Sequence, residues 1–356
     1  VLRNRLIAAL ITLGFTAGKA EDLGVYNQSA MVSCQNSWDI AFDAGYIYWI
    51  WQQDRMEVAT LATPNLAEGE LFLSGTEEIV FQTPGFASGF QIGLGCNFHG
   101  MDDWRFKADY TWYENSTSLR TRPASGQYVA VSSDLIQTPG ALSIGLLLSG
   151  DLKTTAKLHY SELDTVLQRM FYQGRSLTAR YSMGLKTLWI DQYGTSNGSK
   201  LFFISENVPF PVPLKGSFQT TSTLNSWGLG PVFGLQSNWL LGYGLRIEGN
   251  LRGSLLYTSY TTLQFTVTGQ ITSLSYTDLI LRQSHHYNTV CPVLETSLGL
   301  GWGSYLCQGN CYLDLFVGYD FNTYWSRTPL DAIRKNNGAP GNMHLQGLHA
   351  RIGIDY

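Results

Sequence analysis

Charge is scarce in this chain. Asp, Glu, Lys and Arg make up 14% of its 356 residues, against roughly a quarter in soluble proteins, so an ordinary water-soluble domain is a poor fit. Long apolar runs are missing as well. Beyond the N-terminal segment no stretch approaches the roughly 20 apolar residues of a membrane-crossing helix, which excludes a helical membrane bundle. Charge of one sign is not in excess either. The 23 Lys and Arg against 27 Asp and Glu leave a formal charge of −4, with no basic surplus for nucleic acid. Cysteine is limited to five residues. An odd number leaves at least one thiol unpaired or linked to another chain.

Aromatics are plentiful, with 20 Tyr, 17 Phe and 10 Trp, and there are 37 Gly. Mean hydropathy is nonetheless near zero. Apolar residues diluted by strict alternation, with Trp and Tyr gathered at interfaces, are the composition of a transmembrane β-barrel. The last nine residues, Leu348-His349-Ala350-Arg351-Ile352-Gly353-Ile354-Asp355-Tyr356, alternate in this way and finish on an aromatic. So do several others. Trp38, Ile40, Phe42, Ala44, Tyr46, Tyr48 and Ile50 share a face opposite Asp39 and Asp43. Trp104, Phe106, Ala108, Tyr110 and Trp112 oppose Arg105, Lys107 and Asp109. Only a strand has a side-chain period of two. A weaker segment over residues 151–163 puts Lys153 and Lys157 on the polar register, and Pro231, which lacks an N–H, predicts a local bulge.

The connections alternate in length. Short ones fall at His99-Gly100-Met101-Asp102-Asp103, near Gln173-Gly174-Arg175-Ser176, at Leu240-Leu241-Gly242 and at Gln308-Gly309-Asn310. Long ones fall near residues 52–88, 114–150, 191–222, 258–287 and 326–341. Outer-membrane barrels have short periplasmic turns and longer extracellular loops. The fold expected is therefore all-β: a transmembrane antiparallel up-and-down β-barrel of about ten to twelve strands, with both ends in the periplasm. Leu263-Gln264-Phe265-Thr266-Val267 is a candidate for a further hairpin inside a long connection. Residues 1–20 read as a secretory signal, with Arg3 and Arg5 before an apolar run and Gly18-Lys19-Ala20 at its end. Residues 21–37 are then a periplasmic segment and 38–356 the barrel, in the bacterial outer membrane.

Polar-register residues should face the lumen. The pore-lining candidates are Arg105, Lys107, Asp109, Arg180, Lys186, Arg246, Glu248, Arg252, Glu295, Asp314, Asp320 and Arg351. Their signs nearly balance, which predicts weak ion selectivity, or pairing that fills the lumen. A ten-stranded ring is narrow, since about eight strands leave room only for side chains. Cys307 and Cys311 flank a turn and are a candidate disulfide. Zinc binding is the alternative, but two further ligands at suitable spacing are not evident. No cofactor and no metal site are expected. His285-His286, with Asp278 upstream, and the turn pair Asp102-Asp103 are weak catalytic candidates. No Ser or Cys nucleophile has a recognisable base, so the chain is not read as an enzyme.

Gly89-Phe90-Gln91-Ile92-Gly93-Leu94-Gly95, Asp102-Asp103-Trp104 with Tyr110-Thr111-Trp112-Tyr113, and Leu177-Thr178-Ala179-Arg180 with Gly184-Leu185-Lys186 and Trp189-Ile190-Asp191 resemble the Legionella-type major outer-membrane protein family. The family also occurs in chlamydia-related bacteria. Tyr181 stands where its pattern has Pro, and Tyr356 where Phe is commoner. The resemblance implies a surface-exposed porin, sometimes disulfide-linked to its neighbours, and supplies no catalytic residues. The function expected is passive diffusion of small hydrophilic solutes and ions, with outer-membrane lipid as the surrounding partner and a homo-oligomer as one arrangement. The alternative is an adhesin or structural barrel without an open pore.

Overall fold

The computed structural model describes residues 39–54, 56–62, 64–67, 70–73, 78–98, 104–124, 127–130, 146–205, 208–271, 276–284, 286–307, 310–328 and 341–356. The expected signal, the 21–37 segment, Cys34, Trp38, Asp102, Asp103 and His285 lie outside them. Ten strands form the wall: β1 (Ile40–Gln53), β2 (Phe86–Phe98), β3 (Trp104–Thr121), β4 (Leu146–Gln173), β5 (Leu177–Ser205), β6 (Val208–Gly242), β7 (Leu245–Ile271), β8 (Tyr287–Leu306), β9 (Cys311–Thr328) and β10 (Gly341–Asp355). Each pairs antiparallel with its neighbours, and β10 pairs with β1, so the ring closes. The seam runs from Ala41↔Asp355 to Gln53↔Met343 without a shift. Reciprocal backbone bonds between Ile40 and Tyr356, 3.1 and 2.9 Å, lock its lower end. Closure leaves no unpaired strand edge to face hydrocarbon.

The outward register is apolar where the sequence predicts it. Phe42, Tyr46, Leu94, Leu185, Phe233, Leu298 and Val317 point away from the ring and are half-exposed or more. Phe90 stacks on Trp112 at 5.5 Å and Tyr48 on Phe86 at 5.3 Å. Covering each such side chain with lipid contributes about 1.5–3 kcal/mol, which water would forfeit.

The connections differ from expectation. A spanning strand needs about 9–11 residues, yet β4, β5, β6 and β7 have 28, 29, 35 and 27. The expected long loops at residues 191–222 and 258–287 are largely strand among the described residues, and so is the described part of 114–150. Their excess lies at the end opposite the short turns, so one side of the wall rises well above the bilayer. The hairpin suspected at Leu263 is there: β7 continues through it and pairs with a strand over Tyr276–Ser284. The bulge expected at Pro231 is not. The β6–β7 register passes from Leu229↔Tyr257 to Val232↔Ser254 unshifted, and the nearest irregularity falls at Asn225/Ser226. The turn between β6 and β7 centres on Tyr243 and Gly244, slightly later than expected, and both have positive φ.

Candidate functional site in the lumen

The structure places all twelve lumen candidates inside the ring, and most of them touch each other. Lys186 on β5 is fully buried and reaches Glu162 at 2.7 Å, Asp164 at 3.0 Å and Glu295 at 2.6 Å. Arg252 on β7 joins this cluster through Asp164 at 2.7 Å and Glu295 at 3.1 Å. Nearer the short turns, Arg246 and Arg351 share Glu248 and Asp314 at 2.6–3.4 Å. Lys107 bridges Asp43 and Asp109, both at 3.0 Å. Arg105 holds Asp355 at 3.1 Å, and Asp320 faces His349 at 3.3 Å. Gly93 lies in register between Asp43 and Asp109. A Cβ there would come within 2.4 Å of the Asp109 carboxylate, so the absence of a side chain makes room for the Lys107 bridge.

Glu162, Asp164 and Glu295 are grouped closely enough to suit a metal ion, but the Lys186 ammonium reaches all three. These two β4 carboxylates were missed in the sequence because Lys153 and Lys157 suggested the opposite register. The structure corrects that reading. Lys153 and Lys157 point outward, while Leu152, Thr154, Leu158, Tyr160, Glu162 and Asp164 point inward. Cationic side chains on the outer face mark a level above the hydrocarbon, where a lipid-facing Lys would cost about 2–4 kcal/mol at the midplane.

Above the charges the lumen is closed by apolar side chains, which sequence reasoning also missed. Ile47, Trp49, Trp51, Tyr113, Leu158, Tyr160, Leu188, Ile190, Leu256, Val293, Tyr324, Met343 and Leu345 form one buried cluster, with Ala87 packed against it. Every strand except β6 contributes. Trp49 packs on Tyr113 at 5.8 Å and Tyr160 at 6.4 Å, and Tyr160 on Tyr324 at 6.1 Å. The tyrosine hydroxyls are satisfied, whereas the indole N–H groups of Trp49 and Trp51 are buried without an acceptor among the described residues. Tyr113 donates to the Trp49 carbonyl at 2.9 Å and accepts from Asn115 at 2.7 Å. Tyr160 bonds both Tyr324, at 2.7 Å, and Glu162, tying this septum to the charge cluster below. The signal lay in Tyr46-Ile47-Tyr48-Trp49-Ile50-Trp51, a continuous apolar run that marks a strand buried on both faces.

Two cavities among the described residues lie below the septum. One, of about 100 Å³, lies against Tyr160, Glu162 and Arg252. The other, of about 130 Å³, reaches the short turns beside Leu240, Gly244 and Tyr312. Higher up, Arg327 is fully buried, donating to Thr258 at 3.0 Å and Ser226 at 2.9 Å with its guanidinium over Tyr260.

The expected disulfide is absent: Cys307 and Cys311 are free thiols, as are Cys96 and Cys291. Cys96 sits on the outward register, half-buried. On the wall above the bilayer, the Arg120 hydrogen bond holds the Asp151 carboxyl below its ordinary value.

The model of the family described as Legionella pneumophila major outer membrane protein precursor matches residues 31–355. No curated protein matches the chain. Among solved structures, the outer-membrane protease OmpT from Escherichia coli is 9% identical at a TM-score of 0.38, covering 92% of this chain and 99% of that one. Ail, the attachment invasion locus protein of Yersinia pestis, is 8% identical at 0.20, covering 88% and 97%. The outer membrane protein AlkL is 13% identical at 0.25, covering 79% and 98%. With its family model spanning nearly the whole described ring, the chain belongs to the Legionella major outer membrane protein family and is a β-barrel of the bacterial outer membrane, closed by ten strands among the described residues.

Proposed function

We propose that this protein is a closed-lumen outer-membrane barrel that acts through its tall extracellular wall and its lipid-facing belt, and not as an enzyme. The observation that carries this reading is the double closure of the lumen, by a buried ion-pair cluster around Lys186 and by the septum around Trp49 and Tyr160. Solute passage would require desolvated charges to part and close-packed rings to move together. The strands above the bilayer present an outer surface with polar positions such as Lys153 and Lys157, suited to contact with other surfaces.

A second reading, general diffusion of small hydrophilic solutes and ions, is favoured by the twelve charged side chains that line the lower lumen and by the cavities among them. It needs a second arrangement of the septum. Planar-bilayer recording of the purified barrel separates the two. The closed reading expects no current steps from the wild-type protein, and steady steps only once both levels are opened, with Trp49 and Tyr160 of the septum and Lys186 of the charge cluster all changed to Ala. Wild-type steps that carry small sugars as well as ions would replace it with the porin reading.

A further inference from the structure

We propose that the lower lumen holds a binding site for a small oxyanion, centred on Arg180 and reached from the periplasmic end. Arg180, on β5, lines both cavities. Among the described residues it makes no hydrogen bond and no ion pair. Its neighbours are all committed. The other four cations around the lower cavity are Arg105, Lys107, Arg246 and Arg351, and each has a carboxylate within 3.2 Å. The carboxylates lining that cavity are also four, Asp43, Glu248, Asp314 and Asp355. Asp109, the second partner of Lys107, brings the carboxylates in contact with these cations to five, and Arg180 is the cation that none of them meets.

A guanidinium held away from bulk water is costly unless an anion meets it. A second observation points the same way. The Nε groups of Arg105 and Arg351 are buried donors without an acceptor, and both residues line the lower cavity. An unpartnered guanidinium and unused Nε donors call for the same thing, an acceptor that carries negative charge. A planar guanidinium pairs best with an oxyanion, whose oxygens match its fork of N–H groups. Gln168 and Gln236, which line both cavities, add neutral amide donors. The volume of about 130 Å³ admits a small anion and not a large one. The cavity meets the short turns at Gly244 and Tyr312, below the charge cluster and septum. Occupation therefore does not depend on whether the septum opens.

The test is calorimetric titration of inorganic phosphate into the full chain, folded in non-ionic detergent and buffered with a bulky sulfonate as the only other anion. The wild-type barrel is expected to bind one phosphate saturably. R180Q should weaken binding at least about tenfold, or roughly 1.4 kcal/mol, and R180K should retain most of it. R180Q removes a charge without a partner, so without phosphate it should keep the heat-dependent gel mobility of a folded barrel. No saturable binding by the wild type, or equal affinity in R180Q, overturns the proposal. Should R180Q fail to fold, R180K and the wild type still decide it, since a loss in R180K beyond that of an unrelated control such as K153Q is not expected from a charge-centred site.

Discussion

The lower lumen is closed by charges that cancel, and the upper lumen by rings and alkyl chains that pack. The two levels meet at Tyr160, whose ring belongs to the septum and whose hydroxyl binds Glu162. The difference follows the membrane surface. Inside the hydrocarbon, lipid takes the apolar face of every strand, so the inner face receives the polar residues. Above it, water covers the outer wall, and the pattern inverts. On β4 the outward Lys153 and Lys157 give way to outward Leu167 and Phe171, while the inward positions change from Leu158 to Glu162 and Asp164. One strand thus reads apolar-in over its upper half and polar-in over its lower half, with no slip in backbone register.

The largest expected effect comes from breaking the charge level. Lys186 is the shared partner of three buried carboxylates. Lys186→Met leaves Asp164 and Glu295 with Arg252 and Glu162 with the Tyr160 hydroxyl alone, and removing one partner from a buried ionic cluster costs about 3–5 kcal/mol. Unfolding in urea, followed by gel mobility, measures this. Neutralising one acid in the same molecule, Glu162→Gln with Lys186→Met, should recover part of the loss. Failure of the second change to restore any stability would mean that packing, not charge, governs this level.

The matching test of the septum is Leu345→Ala. Leu345 is fully buried in the apolar cluster, and truncation there should cost about 2–5 kcal/mol. Neutralising an acid separates the levels. Glu162→Gln should recover part of the Lys186→Met loss and none of the Leu345→Ala loss, since no charge changes in the septum. Equal recovery in both variants would remove the distinction between charge and packing.

How much was legible in the sequence follows from that inversion. Alternation identified the spanning parts of β1, β2, β3 and β10, because lipid outside and charge inside give opposite chemistry to adjacent residues. The twelve lumen candidates came from the same signal. The septum did not, because Ile47, Trp49 and Trp51 lie between outward Tyr46, Tyr48 and Ile50, and the two faces merge into one run. On β4 the polar register of Lys153 and Lys157 would be lumenal only if hydrocarbon surrounded the whole strand. The one-residue difference in register hides Glu162 and Asp164, since a slip of one exchanges every side chain between faces. Long strands were read as loops for the same reason: once both faces of the wall are wet or weakly apolar, Gly194, Ser196, Asn197 and Ser199 no longer alternate in hydropathy.

The smallest expected effect tests the wall above the bilayer, where the Arg120 Nε donates to Asp151 at 3.0 Å and Arg122 lies 3.9 Å away. The hydrogen bond from Arg120 lowers the Asp151 pKa. An unfolded Asp titrates near about 3.9, so the folded carboxyl stays ionised to lower pH than the unfolded one. The stabilisation is complete above the unfolded value and is lost as pH falls through the lowered folded value. Wild type and Arg120→Gln should therefore differ slightly in unfolding midpoint near pH 6 and converge in acid. The gap should shrink with added salt, because Arg120 is exposed and screened. A gap that widened in acid would place the contact's contribution elsewhere. A loss on Arg120→Gln larger than that on Lys186→Met would reverse the ranking of wall and lumen.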